Sequence, residues 1–203
     1  MIFGLLKDMP AAYNFIQMNG GMLFVILSGI CVTLGTHNIR RGLIVAGGAA
    51  VITAVTVLMF EKNLYILFGV LHLLAFCMLT YSLYRKFPVA VIFILGAAII
   101  AVGFWFETFY VKSPYLFMLG LRMKSFSAGD YFPIFPNLGY FMIGVGLGKT
   151  VYKKKESLFP KVNEKALLIR FLSFCGRQSF LIYLLHQPIV YGLCMAAYWI
   201  MTR

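Results

Sequence analysis

The feature that most constrains the fold is a succession of long apolar runs separated by short charged stretches. The chain has 203 residues, of which 62% are hydrophobic and 12% are charged. A soluble domain carries about 25% charged and about 45–50% apolar residues, so this composition cannot supply a soluble surface. A helix that crosses a bilayer needs about 20 mainly apolar residues, which these runs provide. The sequence therefore predicts an integral membrane protein.

The same runs predict an all-α fold. We expect a polytopic transmembrane bundle of about six spanning helices in one domain, 1–203. The runs that are long enough lie at approximately 15–35, 42–60, 63–84, 88–111, 133–152 and 178–200. The connections 112–132 and 153–177 are long, whereas those between the first four runs are short. In the fifth run, Gly144 and Gly148 form a G-x-x-x-G pair, which is typical of close packing between membrane helices.

The charges predict orientation and not a nucleic-acid partner. The net charge is +12, yet the basic residues cluster between apolar runs and form no stripe interleaved with aromatic residues. Of the 18 Lys and Arg residues, 12 fall on one set of connections, which is predicted to face the cytoplasm, as expected in an inner membrane. The lipid bilayer is then the first partner, and a homo-oligomer is left open. The four cysteines lack metal-ligand spacing, so no metal is expected.

This orientation leaves both termini outside, which is unusual for a short segment that no helix precedes. Two explanations are open. Either the first helix inserts in the reversed sense, or a preceding helix is absent from this sequence.

Three ionisable residues lie at predicted membrane depth, namely His72, Glu107 and His186. Such residues are costly in lipid and tend to face a partner or a water-filled cavity. His72 is about nine residues into the third run and His186 about eight into the sixth, so we expect both imidazoles to line one cavity near mid-depth. A histidine pKa near ~6.5 allows proton uptake and release at ordinary pH. The alternative is that each histidine only hydrogen-bonds a neighbouring helix.

Polar residues accompany His186 in the sixth run. Ser179, Tyr183 and His186 recur at helical spacing, and Gln187 follows directly. Pro188 cannot donate a backbone hydrogen bond, so the helix is expected to kink beside His186 and widen a cavity.

A second polar group is expected at the outer side. Glu107 shares a helical stripe with Gly96, Ile100 and Gly103, which predicts that it faces the bundle. Asp130 and Tyr131 end the long connection 112–132, which is a candidate lid over a carboxylate. The alternative is an aromatic anchor at the membrane interface. On the inner side, Lys153–Lys155 and Arg177 are candidates for holding a phosphorylated donor, although topology alone explains them as well.

Several strings together resemble one family, and they occur in one order along the chain. They are LFVILSGICVTLG with RRGLIV (23–35 and 40–45), ILFGVLHLLAFCML (66–79), DYFPIFPNLGYFMIGVGLGK (130–149) and GRQSFLIYLLHQPIVYG (176–192). The chain resembles the heparan-α-glucosaminide N-acetyltransferase-type membrane acyltransferases, in their branch of small bacterial proteins. The resemblance covers residues from about 20 onward.

The resemblance implies transfer of an acetyl group from cytosolic acetyl-CoA, the donor substrate, to an extracytoplasmic saccharide amine or hydroxyl. Histidine would act as the base, with His186 and His72 as the candidates. The remaining site residues are assigned by the side of the membrane on which they are predicted to lie. The acceptor side would comprise Asp130, Tyr131, Glu107, Tyr183 and Gln187, and the donor side Arg40, Arg41 and Arg177.

Members of this family carry one more helix in front, with an Arg-Gly pair and then a histidine. Residues 1–20 contain no histidine. The expectation is therefore that the family's first transmembrane helix is missing here, in agreement with the orientation inferred from charge. Two alternatives to an active acyltransferase follow. One is a small transporter or channel that uses the buried histidines, and the other is an inactive acyltransferase remnant.

Overall fold

The computed structural model describes residues 11–59, 65–111, 113, 115–123, 130–153 and 167–201. These residues form seven α-helices, which confirms the all-α fold. The helices are α1 (Ala11–Leu34), α2 (Asn38–Met59), α3 (Val70–Tyr84), α4 (Val89–Glu107), α5 (Ile134–Val151), α6 (Leu167–Arg177) and α7 (Ser179–Met201). A 3-10 turn spans Leu116–Leu119, and the only β-type pairing among the described residues is two isolated bridges.

The chain divides into two compact units, Met1–Glu156 and Ser157–Arg203. In the first unit α5 packs against both α1 and α4, and α2 packs against α3. The predicted G-x-x-x-G pair lies in the contact between α1 and α5. A Cβ atom on Gly144 would collide with the carbonyl oxygen of Ile26, and one on Gly148 would collide with Thr33. The absence of side chains at these positions lets the two backbones approach closely.

Glycine also forms the contact between α4 and α5, as the predicted stripe requires. A Cβ atom on Gly96 would lie 3.1 Å from the carbonyl oxygen of Gly139, and one on Gly103 would lie 2.6 Å from Cβ of Pro136. The side chain of Glu107, the last residue of α4, is exposed, yet its charge acts on Tyr131. Its predicted orientation toward the bundle stays a prediction. Helix α5 begins at Ile134, so Glu107 lies one turn beyond the level at which α5 covers α4.

The third helix begins at Val70 and not near 63, and the described residues before it, 65–69, are not helical. The cause lies in two side chains of α2. The Thr53 hydroxyl donates to the carbonyl oxygen of Ile66 at 2.7 Å, and the Ile66 amide donates to Oγ1 of Thr56 at 3.2 Å. Both backbone groups of Ile66 are therefore satisfied outside a helix, which an apolar backbone segment in a bilayer requires.

The second unit holds α6 and α7, with Gln178 between them. Helix α7 matches the predicted run 178–200 and continues through Pro188. Helix α6 lies inside the predicted connection 153–177, so the sequence analysis missed it. Its length of 11 residues is too short to resemble a spanning run.

In the described part of the chain, two helices are long and apolar enough to cross a membrane. They are Asn38–Leu58 and Val89–Glu107, with mean hydropathy 1.9 and 2.7. Gly20–Leu34 and Val70–Tyr84 are apolar but shorter. The number of spans and the single-domain organisation stay predictions.

Candidate functional site

A polar cluster, which we call the α3 cap, surrounds the first turn of α3. It comprises Gly69, Val70 and His72 with Thr53 of α2 and Asp130 of the connection before α5. Gly69 is extended, with φ −93° and ψ −171°, and it ends the irregular segment. The Val70 amide donates to Oδ2 of Asp130 at 3.0 Å. A carboxylate there satisfies a free amide and interacts favourably with the helix dipole.

His72 accepts and donates within this cluster. The Gly69 amide donates to Nδ1 of His72 at 3.3 Å, and Nε2 lies 3.1 Å from Oγ1 of Thr53. The Gly69 amide can only donate, so Nδ1 is the acceptor and Nε2 carries the proton. The hydroxyl proton of Thr53 points to Ile66, so Oγ1 of Thr53 accepts from Nε2. Both ring nitrogens of a neutral imidazole are therefore satisfied.

The predicted position of His72 within its helix is wrong, whereas its depth in the membrane stays a prediction. The sequence analysis placed it about nine residues into a helix, whereas it is the third residue of α3. The difference arises because the segment before Val70 is irregular, which apolar composition does not reveal. The hydrogen bond to Thr53 matches the alternative interpretation, in which the histidine bonds to a neighbouring helix.

Tyr131 stands next to Asp130 and is half-buried. Its hydroxyl donates to the carbonyl oxygen of Phe117 at 2.5 Å, and the guanidinium carbon of Arg122 lies 5.8 Å from its ring centre. Burial raises the pKa of Tyr131 to about 12, with Arg122 lowering it and Glu107 raising it. Three predicted acceptor-side residues, Asp130, Tyr131 and Glu107, thus belong to one end of the first unit.

A second feature, which we call the basic cleft, lies at the other end of the α2–α3 pair. Its volume is about 470 Å³. Its basic lining comes from His37 and Arg40, at the start of α2, and from Arg85, directly after α3. Tyr81 and Ser82 line it on the α3 side, and the remaining lining residues are Thr36, Asn38, Ile39, Leu43 and Met78.

The predicted donor-side arginines separate in the structure. Arg40 lines the basic cleft, whereas Arg41 lies against the end of α1, where a Cβ atom on Gly35 would be 2.7 Å from its Nη1 atom. Arg177 is exposed at the end of α6, with Nε 3.4 Å from the carbonyl oxygen of Ser173. Arg177 belongs to the second unit, so its predicted role toward the donor stays a prediction.

The α7 candidates also belong to the second unit. Tyr183 is half-buried. His186 is the eighth residue of α7, and the side chains of His186 and Gln187 lie outside the described part of the structure. The predicted meeting of His72 and His186 in one cavity therefore stays a prediction.

Sequence reasoning missed Thr53, His37 and Arg85 as site residues. Thr53 and Thr56 are hydroxyl residues three positions apart in an apolar run, and this spacing is a signal that could have identified Thr53. His37 lies beside the two arginines that were singled out, and Arg85 was counted only for orientation. Among the described residues, no group of three or more His, Cys, Asp or Glu side chains is placed to hold a metal ion.

Comparison with known proteins gives the family. A sequence profile described as "Heparan-alpha-glucosaminide N-acetyltransferase, catalytic" matches residues 3–188. Searches of curated proteins and of solved structures returned no match. The profile covers most of the chain, including both the α3 cap and the basic cleft. The chain therefore belongs to the heparan-alpha-glucosaminide N-acetyltransferase family of membrane acetyltransferases.

Proposed function

We propose that the protein transfers an acetyl group from cytosolic acetyl-CoA to an amine or hydroxyl of an extracytoplasmic sugar. The family supports membrane acetyl transfer in general. The observation that carries the donor assignment is the basic cleft, because it combines Arg40, Arg85 and His37 in one concavity. Guanidinium groups bind phosphate oxygens through charge-assisted, often bidentate hydrogen bonds. In this proposal the phosphates of acetyl-CoA bind in the cleft on the cytoplasmic side.

The α3 cap and its neighbours form the acceptor end. Asp130 and Glu107 supply carboxylates that can accept hydrogen bonds from sugar hydroxyls, and Tyr131 supplies an aromatic surface. Helix α3 joins this end to the basic cleft, because it begins beside Asp130 and its last turn lines the cleft. The thioester arm of the donor would extend along this helix.

The reaction requires a base. The acceptor oxygen or nitrogen forms a bond to the acetyl carbon while the bond from that carbon to sulfur breaks. The proton leaves the acceptor to the base, which returns it to the departing thiolate. Both nitrogens of His72 already have hydrogen-bond partners, so proton transfer there would break a bond that holds α3 to α2. In this proposal His72 has a positioning role, and His186 of α7, with Tyr183 and Gln187 on the same helix, stays the candidate base that the sequence predicted.

The donor assignment is tested with labelled acetyl-CoA and a panel of amino sugars on proteoliposomes. Removing both charges with Arg40→Gln and Arg85→Gln should raise KM for acetyl-CoA by on the order of 100-fold or more, since each hydrogen bond to a charged group contributes about 1.5–3 kcal/mol and about 1.4 kcal/mol is tenfold. Lys86→Gln is the matched control, because Lys86 adjoins Arg85 in sequence and does not line the cleft. Equal KM values in the double variant and the control would contradict the donor assignment.

The base is tested in the same assay. His186→Ala should abolish transfer. His72→Asn should retain part of kcat and should lower the unfolding temperature, because it weakens the contact between α3 and α2. Unchanged transfer by His186→Ala, or no transfer by the wild type to any sugar, would contradict the proposal. Uptake of sugar coupled to a pH gradient would instead favour the transporter alternative, which no contact in the described residues favours.

A further inference from the structure

Helix α6 has two different sides. Arg170, Ser173 and Arg177 recur at positions i, i+3 and i+7 and share one side. Leu167, Phe171 and Phe174 recur at positions i, i+4 and i+7 on another side. The helix is therefore amphipathic.

The apolar side of α6 is exposed. Leu167 is 84% exposed, Phe171 is 61% exposed and Phe174 is 60% exposed. A contiguous exposed face of large apolar side chains indicates an interaction surface. The described part of α6 has 11 residues and is about 16 Å long, about half of a hydrocarbon core of about 30 Å. It can lie along the surface of a bilayer.

The charges indicate which occupant fits this surface. Both arginines of α6 are exposed. The sequence just before the helix adds Lys161 and Lys165, with Glu164 as the one acidic residue between them. Basic side chains beside an apolar helical face are attracted to anionic lipid headgroups. The order of elements along the chain agrees, because Gln178 alone separates α6 from α7, the helix that matches the predicted spanning run 178–200.

We propose that α6 is an interfacial helix that binds anionic lipid. Phe171 and Phe174 enter the boundary between headgroups and acyl chains, and Arg170 and Arg177 bind lipid phosphates. This gives Arg177 a lipid phosphate as its partner, in place of the donor phosphate that the sequence predicted. The inference is independent of the acetyl-transfer reaction.

The test measures depth in the bilayer. The full chain, with Cys31, Cys77, Cys175 and Cys194 replaced by Ala, receives one new cysteine by Phe171→Cys, Phe174→Cys or Ser173→Cys. Each is labelled with an environment-sensitive fluorophore and placed in nanodiscs that hold one chain each. The lipid is a mixture of phosphatidylcholine and phosphatidylglycerol. Nitroxides on the acyl chains should quench the labels at 171 and 174, whereas aqueous iodide should quench the label at 173.

The role of charge is tested in the same discs. Arg170→Gln with Arg177→Gln should reduce the population of bilayer-bound α6 on the order of 10-fold, and discs of phosphatidylcholine alone should have a similar effect. Lys86→Gln, which removes one charge from the first unit, should change nothing. Excess coenzyme A should not displace the helix from phosphatidylglycerol.

Three results would overturn the inference. One is equal quenching by iodide at all three positions. A second is protection at 171 that arises only when two chains share a disc, which would assign the surface to a second copy. A third is a depth that does not depend on phosphatidylglycerol or on the two arginines.

Discussion

The Nε2 atom of His72 lies 3.1 Å from the Oγ1 atom of Thr53, and this hydrogen bond joins α3 to α2. The same hydroxyl donates to the carbonyl oxygen of Ile66 at 2.7 Å. Thr53 therefore satisfies one donor, the imidazole N–H, and one acceptor, the Ile66 carbonyl, which would otherwise be unsatisfied. His72, one of the two histidines considered as a base, therefore acts as part of the structural support of α3.

Thr53→Val should destabilise the protein by about 1–3 kcal/mol. The substitution keeps the shape of the side chain but leaves the imidazole N–H and the Ile66 carbonyl without a partner. Thermal unfolding of the purified protein in detergent measures the effect. Thr53→Ser keeps the hydroxyl and is the control. Equal losses in the two variants would mean that the hydrogen bonds do not matter and that only packing changed.

Asp130→Ala should destabilise the protein by roughly 0.5–2 kcal/mol, the usual contribution of a helix cap. The Val70 amide loses its carboxylate acceptor, at 3.0 Å, and the helix loses a favourable charge at its N-terminus. Asp130→Asn retains an acceptor oxygen and should lose less. Chemical unfolding followed by helical circular dichroism compares the two. A larger loss for Asn than for Ala would contradict the capping role.

Gly144→Ala should destabilise the protein by about 1–3 kcal/mol, because the added Cβ atom meets the backbone carbonyl of Ile26 and forces α1 away from α5. Gly47→Ala is a matched control within α2. A Cβ atom on Gly47 has no neighbouring atom within 4 Å, so this change should be neutral or stabilise by up to about 1 kcal/mol. Similar unfolding temperatures for the two variants would show that α1 and α5 do not pack through these glycines.

Tyr131 should make stability depend on alkaline pH. Its pKa is raised from 10 to about 12, so the folded protein favours the neutral phenol. The contribution of the neutral Tyr131 phenol to the free energy of unfolding is complete below pH 10 and is lost as the pH rises toward about 12. Unfolding measured across this window should show a fall in the wild type that is smaller in Tyr131→Phe. Parallel profiles for both proteins would exclude Tyr131 as the cause.

The sequence predicted the helices that consist of long apolar runs. Apolar length was sufficient for α1, α2, α4, α5 and α7. It failed before α3, since residues 65–69 are apolar like their neighbours but their backbone bonds go to Thr53 and Thr56 on another helix. It failed again at α6, where amphipathic spacing and not apolar length carries the signal.

The residues of the candidate site also fall into two groups, those that the sequence predicted and those that it missed. Charge singled out Arg40 and Asp130, and both lie at the ends of the α2–α3 pair. The contributions of Thr53 and Arg85 depend on which residues the fold brings together across α2 and α3, and a residue type alone does not contain that information. The position of His72 within α3 depends on where that helix begins, and the irregular segment before it is bonded to two threonines of another helix.

The short length of α3 has a consequence for the reaction that we propose. With 15 residues the helix is about 22 Å long, against a hydrocarbon core of about 30 Å. The described residues just before it, 65–69, are irregular, and polar groups of this segment and of the first turn of α3 are bonded to α2 and to residues 130–132. For the proposed acetyl transfer, we therefore expect this irregular backbone to occupy part of the hydrocarbon thickness, so that a sugar bound at Asp130 enters the bilayer and a thioester from the opposite side crosses less than its full width.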